Sequence, residues 1–389
     1  MASKELTITE KWKIDAESYN NPNAIKTKKP QCEKCSYYIK GNALHCKKYI
    51  EESKPKNVMF AERECPYYKD IDPLNVQAKS ESESRILGGV FGHAVGDMLG
   101  VPLEFTDRVD RERDPVGELR AYGTYHQPFG AWSDDTSLML CLLDALCNDD
   151  VYGSLCRNMI AFHDKGSFTP YGVMFDIGIS TKRAIEKMKN GTDPEKCGGR
   201  DFSDNGNGSL MRILPLAFIL TLSDKENMIE EVSKISSFTH GHDISRFACL
   251  FYVVFASLLF GGAGFEEAYG KTVDEIGRVW NEDIPSPFSK LMTGKINSLP
   301  VEGINSTPYV VDSLEAAIWC LFNSSTYKDT VLSAVNLGGD TDTIAAIAGG
   351  LAGIYYGFEK IPDRWIQTVM RKELIYSSTQ EFMTHYKFN

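Results

Sequence analysis

The chain has 389 residues, 42% hydrophobic and 24% charged, the balance of a globular protein and not of a disordered one. That length holds one large domain plus an extra module, and a formal net charge of −11 argues against nonspecific nucleic-acid binding by the whole chain. The charge is uneven: residues 21–60 carry nine Lys against three Glu, a surplus of six, which leaves −17 (−11 − 6) on the remainder. Such a basic stretch is either a solvated face or a meeting point for a protein or nucleic-acid partner.

The opening residues, MASKELTITEKWKID, contain no apolar core of a secretory signal, so a cytoplasmic protein is expected. Four cysteines follow, Cys32, Cys35, Cys46 and Cys65, in the pattern C-x2-C-x10-C-x18-C. Four thiolates with one CxxC pair suit a tetrahedral structural zinc, because a small module has little core of its own. Only one pair is tight, so an iron–sulfur cluster and unliganded or disulfide-paired cysteines stay open. A polar stretch, KDIDPLNVQAKSESESRI, has linker composition and places a boundary near residue 75. Residues 1–75 then form a Cys-rich module that shapes a partner surface, and residues 76–389 the large domain.

Beyond the linker, apolar segments at helical spacing dominate: RILGGVFGHAVGDMLG, SLMLCLLDALC, VMFDIGISTKRAIEKM, SLMRILPLAFILTL, ISRFACLFYVVFASLLF, SLEAAIWCLF and IAAIAGGLAGIYYG. Strict alternation is scarce, so the fold class is all-α, a compact multi-helix domain thick enough for a second layer. The uncharged stretch between Arg246 and Glu266 raises the membrane question, but its strongly apolar part stops at Phe260, and a buried core helix is expected. The six remaining cysteines, scattered through these segments, read as core thiols in a reducing compartment.

Four polar motifs fall between or at the starts of these helices, where unpaired backbone N–H groups collect. FGHAVGDMLGVPLEF ends in Glu104; WSDDTS holds Ser133, Asp134 and Asp135; NGNGSLMR spans Asn205 to Arg212; LGGDTDT holds Gly338, Gly339, Asp340, Asp342 and Thr343. A helix needs one capping oxygen. Two acids crowded at a buried helix start repel, and each raises its neighbour's pKa. A hard divalent cation would remove that repulsion, with Ser and Thr hydroxyls as further oxygen ligands. No Cys or His accompanies the acids, so Mg or Mn is expected in place of zinc. Two such motifs plus Glu104 point to a dinuclear site. The run Asn205, Gly206, Asn207, Gly208, Ser209 offers backbone N–H groups to an anion or a ribose, or is a plain turn. His240 and His242 are too few for a metal site.

In combination and order, GDMLGVPLE, WSDDTSL, NGNGSLMR and GGDTDTIAAIAG resemble the ADP-ribosylglycohydrolase family, over about residue 85 to the C-terminus. The resemblance implies an all-α domain with two Mg or Mn ions in a central cleft. It implies Glu104, Ser133, Asp134, Asp135, Asp340, Asp342 and Thr343 as their ligands, with Ser133 standing where many members have Thr. It also implies that the Asn205–Ser209 loop and His240 hold ADP-ribose, with Gly338 and Gly339 letting the backbone come close. Asp176, in FDIGIST, matches a carboxylate implicated in members that act on ADP-ribosyl-arginine. The Cys-rich module lies outside the resemblance.

The expected reaction is hydrolysis between C1″ of ADP-ribose and an acceptor on a modified protein or small conjugate, with arginine favoured and a nucleic-acid acceptor still open. Glu104, Asp135, Asp176 and Asp342 are the candidate acids and bases. Two rivals are a binding protein that captures ADP-ribose without turnover, toxin-neutralising proteins included, and a dinuclear Mg phosphoester hydrolase.

Overall fold

The computed structural model describes residues 74–389, apart from residues 223, 281, 282 and 389 and the side chain of residue 279. The basic stretch and Cys32, Cys35, Cys46 and Cys65, with their possible zinc, lie outside the described residues.

Among the described residues the regular structure is helical, with isolated β-bridges and no sheet. The helices are α1 (Glu81–Gly100), α2 (Arg108–Arg113), α3 (Asp134–Ala145), α4 (Val151–Lys165), α5 (Ile179–Lys189), α6 (Lys225–Ser237) and α7 (Asp243–Phe260). They continue with α8 (Phe265–Val279), α9 (Ser289–Met292), α10 (Val310–Phe322), α11 (Tyr327–Asn336), α12 (Thr341–Tyr356), α13 (Asp363–Thr368) and α14 (Lys372–His385). The all-α expectation therefore holds for the large domain.

The centre is the pair α1 and α12. Gly88, Gly92 and Gly96 recur every four residues and so share one face of α1. That face meets Gly353, Gly349 and Ala345 of α12 backbone to backbone: a Cβ on Gly92 would lie 2.4 Å from the Gly349 carbonyl oxygen, and one on Gly96 2.0 Å from that of Ala345. The seam runs on to Gly100, where a Cβ would lie 2.3 Å from the Cα of Asp342. It thereby delivers the end of α1, and Glu104 just beyond it, to the acidic start of α12. The apolar helix α7 packs in the core, with Phe247, Phe251 and Phe255 fully covered. Its most apolar window is 72% buried, and that of α1 is 100% buried, so both long apolar stretches are core helices. Cys141, Cys197, Cys249 and Cys320 are buried free thiols, and Cys147 and Cys156 are half-buried.

Three segments depart from the expected helices. The end of the linker-like stretch is already α1, because Ser80 caps it by accepting from the Glu83 N–H at 3.2 Å. SLMRILPLAFILTL forms only short 3-10 turns, Asn207–Ser209 and Leu214–Phe218, since Pro215 supplies no N–H to continue a helix. In VMFDIGISTKRAIEKM the helix starts only at Ile179, after Gly178, and leaves Asp176 on a non-helical strand of chain.

Candidate active site

WSDDTS and GGDTDT both begin helices, and they touch. The Ser133 hydroxyl caps α3 by accepting from the Asp135 N–H at 3.2 Å, and it donates to Asp135 Oδ2 at 3.1 Å. From α12 the Thr343 hydroxyl reaches the same Oδ2 at 3.3 Å. Asp135 is thus the point where the two motifs join. Its other oxygen, Oδ1, is buried and has no hydrogen-bond partner.

Glu104 enters through a sharp turn. Phe105 takes φ of 60°, a left-handed conformation that costs free energy for a bulky residue, and its N–H donates to the Gly339 carbonyl at 2.7 Å. Gly338 and Gly339 are also left-handed, at φ 70° and 71°. Their lack of side chains admits neighbouring backbone: a Cβ on Gly339 would lie 2.0 Å from the Ser306 carbonyl oxygen. The resemblance gave that room to ADP-ribose, whereas here segments 106–108 and 306 occupy it. Asp340 lies at the N-cap position of α12 but makes no side-chain cap bond. Its Oδ2 instead accepts from Asn207 Nδ2 at 2.6 Å.

Glu104, Asp176 and Asp342 each present one oxygen within 4.8 Å of the others. Burial and the charges of Asp340 and Asp176 push the Glu104 carboxyl up to about 8. Asp134, Asp135 and Asp342 are likewise held well above the usual carboxylate range, first by burial and then by a neighbouring acid's charge, that of Asp176, Asp97 and Glu104 respectively. Asp176 and Asp340 shift the same way, again chiefly through burial. Glu104 Oε2 is buried without a partner. Metal-ligand oxygens and acid repulsion of this kind fit a hard divalent cation.

The NGNG loop flanks these acids. Its asparagine side chains are engaged by protein: Asn207 Nδ2 also donates to Ser313 Oγ at 2.9 Å, and Asn205 Oδ1 accepts from Ser245 Oγ at 2.9 Å. What the loop can offer a ligand is therefore its backbone and the Asn207 Oδ1 acceptor. A Cβ on Gly208 would come within 2.9 Å of both His240 Cε1 and Thr181 Oγ1. His240 is buried, paired through Nδ1 with the Thr239 hydroxyl at 2.7 Å, and lowered to about 3 by burial and then by Arg212, so its ring is neutral. Arg212 lies fully buried beneath the loop and donates to the carbonyls of Gly208 and Ile235.

Two residues of this site escaped the sequence reading. Asp97, fully buried in α1, accepts from the Ser133 N–H at 2.9 Å, the Thr136 N–H at 3.0 Å and the Thr136 hydroxyl at 2.6 Å, which pins the start of α3. An acid inside the apolar run of GHAVGDMLG was its only signal. Tyr125, whose hydroxyl lies within hydrogen-bonding reach of Glu104 and Asp176, sits in a polar loop that gave no signal. Beside the acids, a cleft of about 450 Å³ opens between Phe105, Arg108, Ile304, Pro308 and Gly339.

The all-α fold and the cluster of buried acids suit a metal-assisted hydrolase. Residues 78–387 match the family model for ADP-ribosylglycohydrolase. The chain is 33% identical over 300 residues to an ADP-ribosylarginine hydrolase, Tri1, of Pseudomonas putida (strain GB-1), covering 76% of this chain and 77% of that one. It is 30% identical over 302 residues to the ADP-ribosyl-[dinitrogen reductase] glycohydrolase of Rhodospirillum rubrum, covering 74% of this chain and 91% of the relative. A solved structure described as an ADP-ribosylglycohydrolase-related protein complex superposes with a TM-score of 0.64 at 27% identity, over 78% of this chain and 99% of the other. The chain belongs to the ADP-ribosylglycohydrolase family, and it is an ADP-ribosyl hydrolase.

Proposed function

We propose that this enzyme hydrolyses the N-glycosidic bond between C1″ of ADP-ribose and the guanidinium of a modified arginine, with two Mg or Mn ions at the acid cluster. The observation that carries this reading is the convergence of Glu104, Asp176 and Asp342 within 4.8 Å, beside Asp134, Asp135 and Asp340. So many buried acids cannot all ionise together without cations, and the partnerless Asp135 Oδ1 and Glu104 Oε2 fit metal ligation. Glu104, Ser133, Asp134, Asp135, Asp340, Asp342 and Thr343 would hold the ions. When bound, the ions would supply Lewis acidity toward the ribose hydroxyls and the attacking water.

The chain's own groups do the rest. Backbone of the Asn205–Ser209 loop and the neutral His240 ring hold the ADP-ribose. As the C1″–N bond breaks, its electron pair stays on the departing guanidine, and the water oxygen bonds to C1″. One carboxylate of the cluster, Glu104 or one of the Asp residues, accepts one proton of that water, and that proton passes on to the guanidine and restores a guanidinium. Asp176, half-exposed at the mouth, accepts N–H bonds from the leaving group and holds its plane. The arginine preference rests on Asp176 and on the ADP-ribosylarginine hydrolase relative.

The test is release of ADP-ribose from an ADP-ribosyl-arginine peptide with and without chelator. Divalent-dependent release supports the reading. Stoichiometric binding without release, surviving chelation, would replace it with a capture protein, and release of inorganic phosphate from a phosphoester would replace it with the phosphoesterase.

A further inference from the structure

Tyr125 lies in a turn that is stapled onto the acid-bearing segment. Tyr122 and Gln127 close the turn by exchanging backbone hydrogen bonds, the Tyr122 N–H donating at 2.5 Å and the Gln127 N–H at 3.0 Å. Gly123 rests on Pro102, where a Cβ would lie 1.8 Å from the carbonyl oxygen. Thr124 then donates through its hydroxyl to the Glu104 carbonyl at 2.5 Å and through its N–H to the Pro102 carbonyl at 3.3 Å. The turn therefore rides on the same backbone that carries Glu104.

The ring of Tyr125 is braced from the far side. Phe175, the residue before Asp176, packs against it with ring centroids 5.5 Å apart, and Tyr171 stacks on Phe175 at 6.3 Å, its plane 14° away. Gln127 closes the circuit: its Nε2 donates to the Tyr125 carbonyl at 2.7 Å, and its Oε1 accepts from the Tyr171 hydroxyl. The three aromatic side chains are each half-buried, so the wall keeps part of its surface open to solvent. Its hydroxyl end stands between two carboxylates, Glu104 and Asp176. An aromatic face beside acids is the chemistry that recognises a planar delocalised cation, since the ring quadrupole attracts the face of a guanidinium while carboxylates take its edge N–H groups.

We propose that Tyr125 is the residue that selects the acceptor: its ring supplies the surface on which the guanidinium lies. The proposal deepens the reading above and rests on an arginine acceptor. In this arrangement Tyr125 contacts the acceptor half of the substrate, and the NGNG loop holds the ADP-ribose half.

The experiment uses the full chain with Mg or Mn. Steady-state kinetics on an ADP-ribosyl-arginine peptide are measured beside the inhibition constant of free ADP-ribose, for the unaltered protein, Tyr125→Leu, Tyr125→Phe and the brace variant Phe175→Leu. Loss of the ring in Tyr125→Leu is expected to raise KM about tenfold, whereas Tyr125→Phe keeps KM within about threefold. Phe175→Leu, which leaves the ring unbraced, falls between them. The inhibition constant of ADP-ribose stays the same in all three. An unchanged kcat/KM in Tyr125→Leu, a parallel rise in the ADP-ribose inhibition constant, or a Phe variant as poor as the Leu variant each overturns the proposal. If the unaltered protein releases nothing from arginine but does from another acceptor, the parent reading fails and this one with it. If it cleaves the arginine conjugate and only the variant pattern is wrong, the parent reading stands alone.

Discussion

WSDDTS and GGDTDT have nearly the same composition, yet the chain supports them by different means. At the first motif Ser133 performs the capping itself, and buried Asp97 holds the backbone of the first turn from below. At the second, the N-cap residue Asp340 makes no cap bond at all. Two left-handed glycines, a β-bridge between Thr106 and Gly339, and the Asp340 N–H to the Ser306 carbonyl at 2.9 Å fix its position instead. One motif is held by side chains, the other by backbone. The comparison teaches that a side-chain cap is one of two ways to fix a helix start: where the N-cap residue makes no cap bond, tertiary contacts hold the loop instead.

The largest effect is expected at the acids of the cluster itself. Asp342→Asn should lower divalent-dependent ADP-ribose release by more than about a hundredfold, beyond the scale set by outer-shell partners of metal sites. Manganese titration of the variant should show the matching loss of binding, and unchanged turnover would remove the central reading.

Next comes the backbone-held half. Gly96→Ala forces a Cβ to within 2.0 Å of the Ala345 carbonyl, so α1 and α12 must separate. A loss of about 3 kcal/mol in denaturant unfolding is expected, while Gly117→Ala, with nothing within 4 Å, stays within about 0.5 kcal/mol. Equal stability of the two variants would mean that the seam does not set the geometry.

Asp97→Asn tests the side-chain-held half. The carboxamide keeps one acceptor oxygen and turns an NH₂ toward one of the two backbone donors, Ser133 or Thr136. Metal affinity measured by calorimetry should fall about ten- to a hundredfold. Unaltered affinity would make the two motifs equivalent after all.

A further effect is a slope with pH. The Glu104 carboxyl rises from its ordinary 4.5 to about 8 in the folded protein, so the folded state holds a proton that the unfolded state has already released. Stability is therefore lost as pH rises between these values, and in chelator the melting temperature should decline from about pH 5 to pH 8. Saturating Mg or Mn should cancel the decline, because the cation takes the place of the proton. A flat profile in chelator would mean that the acids are not crowded as described.

Much of this was legible before the fold. Apolar spacing without alternation gave an all-α domain, and paired acids at helix starts marked the cleft, because both signals are local in the chain. What stayed hidden was set by contacts across long separations. Asp97 looks like an oddity inside a core helix until α3 is seen 36 residues on, its first N–H groups aimed at that carboxylate. Tyr125 carries no pattern of its own, and only its turn's attachment to Pro102 and Glu104 brings it to the acids. Pro215 was visible, but the strong hydrophobicity around it outweighed the one missing donor in the reading.

The sequence by itself determined which side chains could hold cations, since the chemistry of Asp, Glu, Ser and Thr oxygens does not depend on the fold. It also determined that the large domain is built of helices, through apolar periodicity. Only the tertiary structure decided which of those oxygens converge. The glycines of α1 and α12 let two backbones touch, and that contact places Glu104 beside Asp342, more than two hundred residues away in the chain.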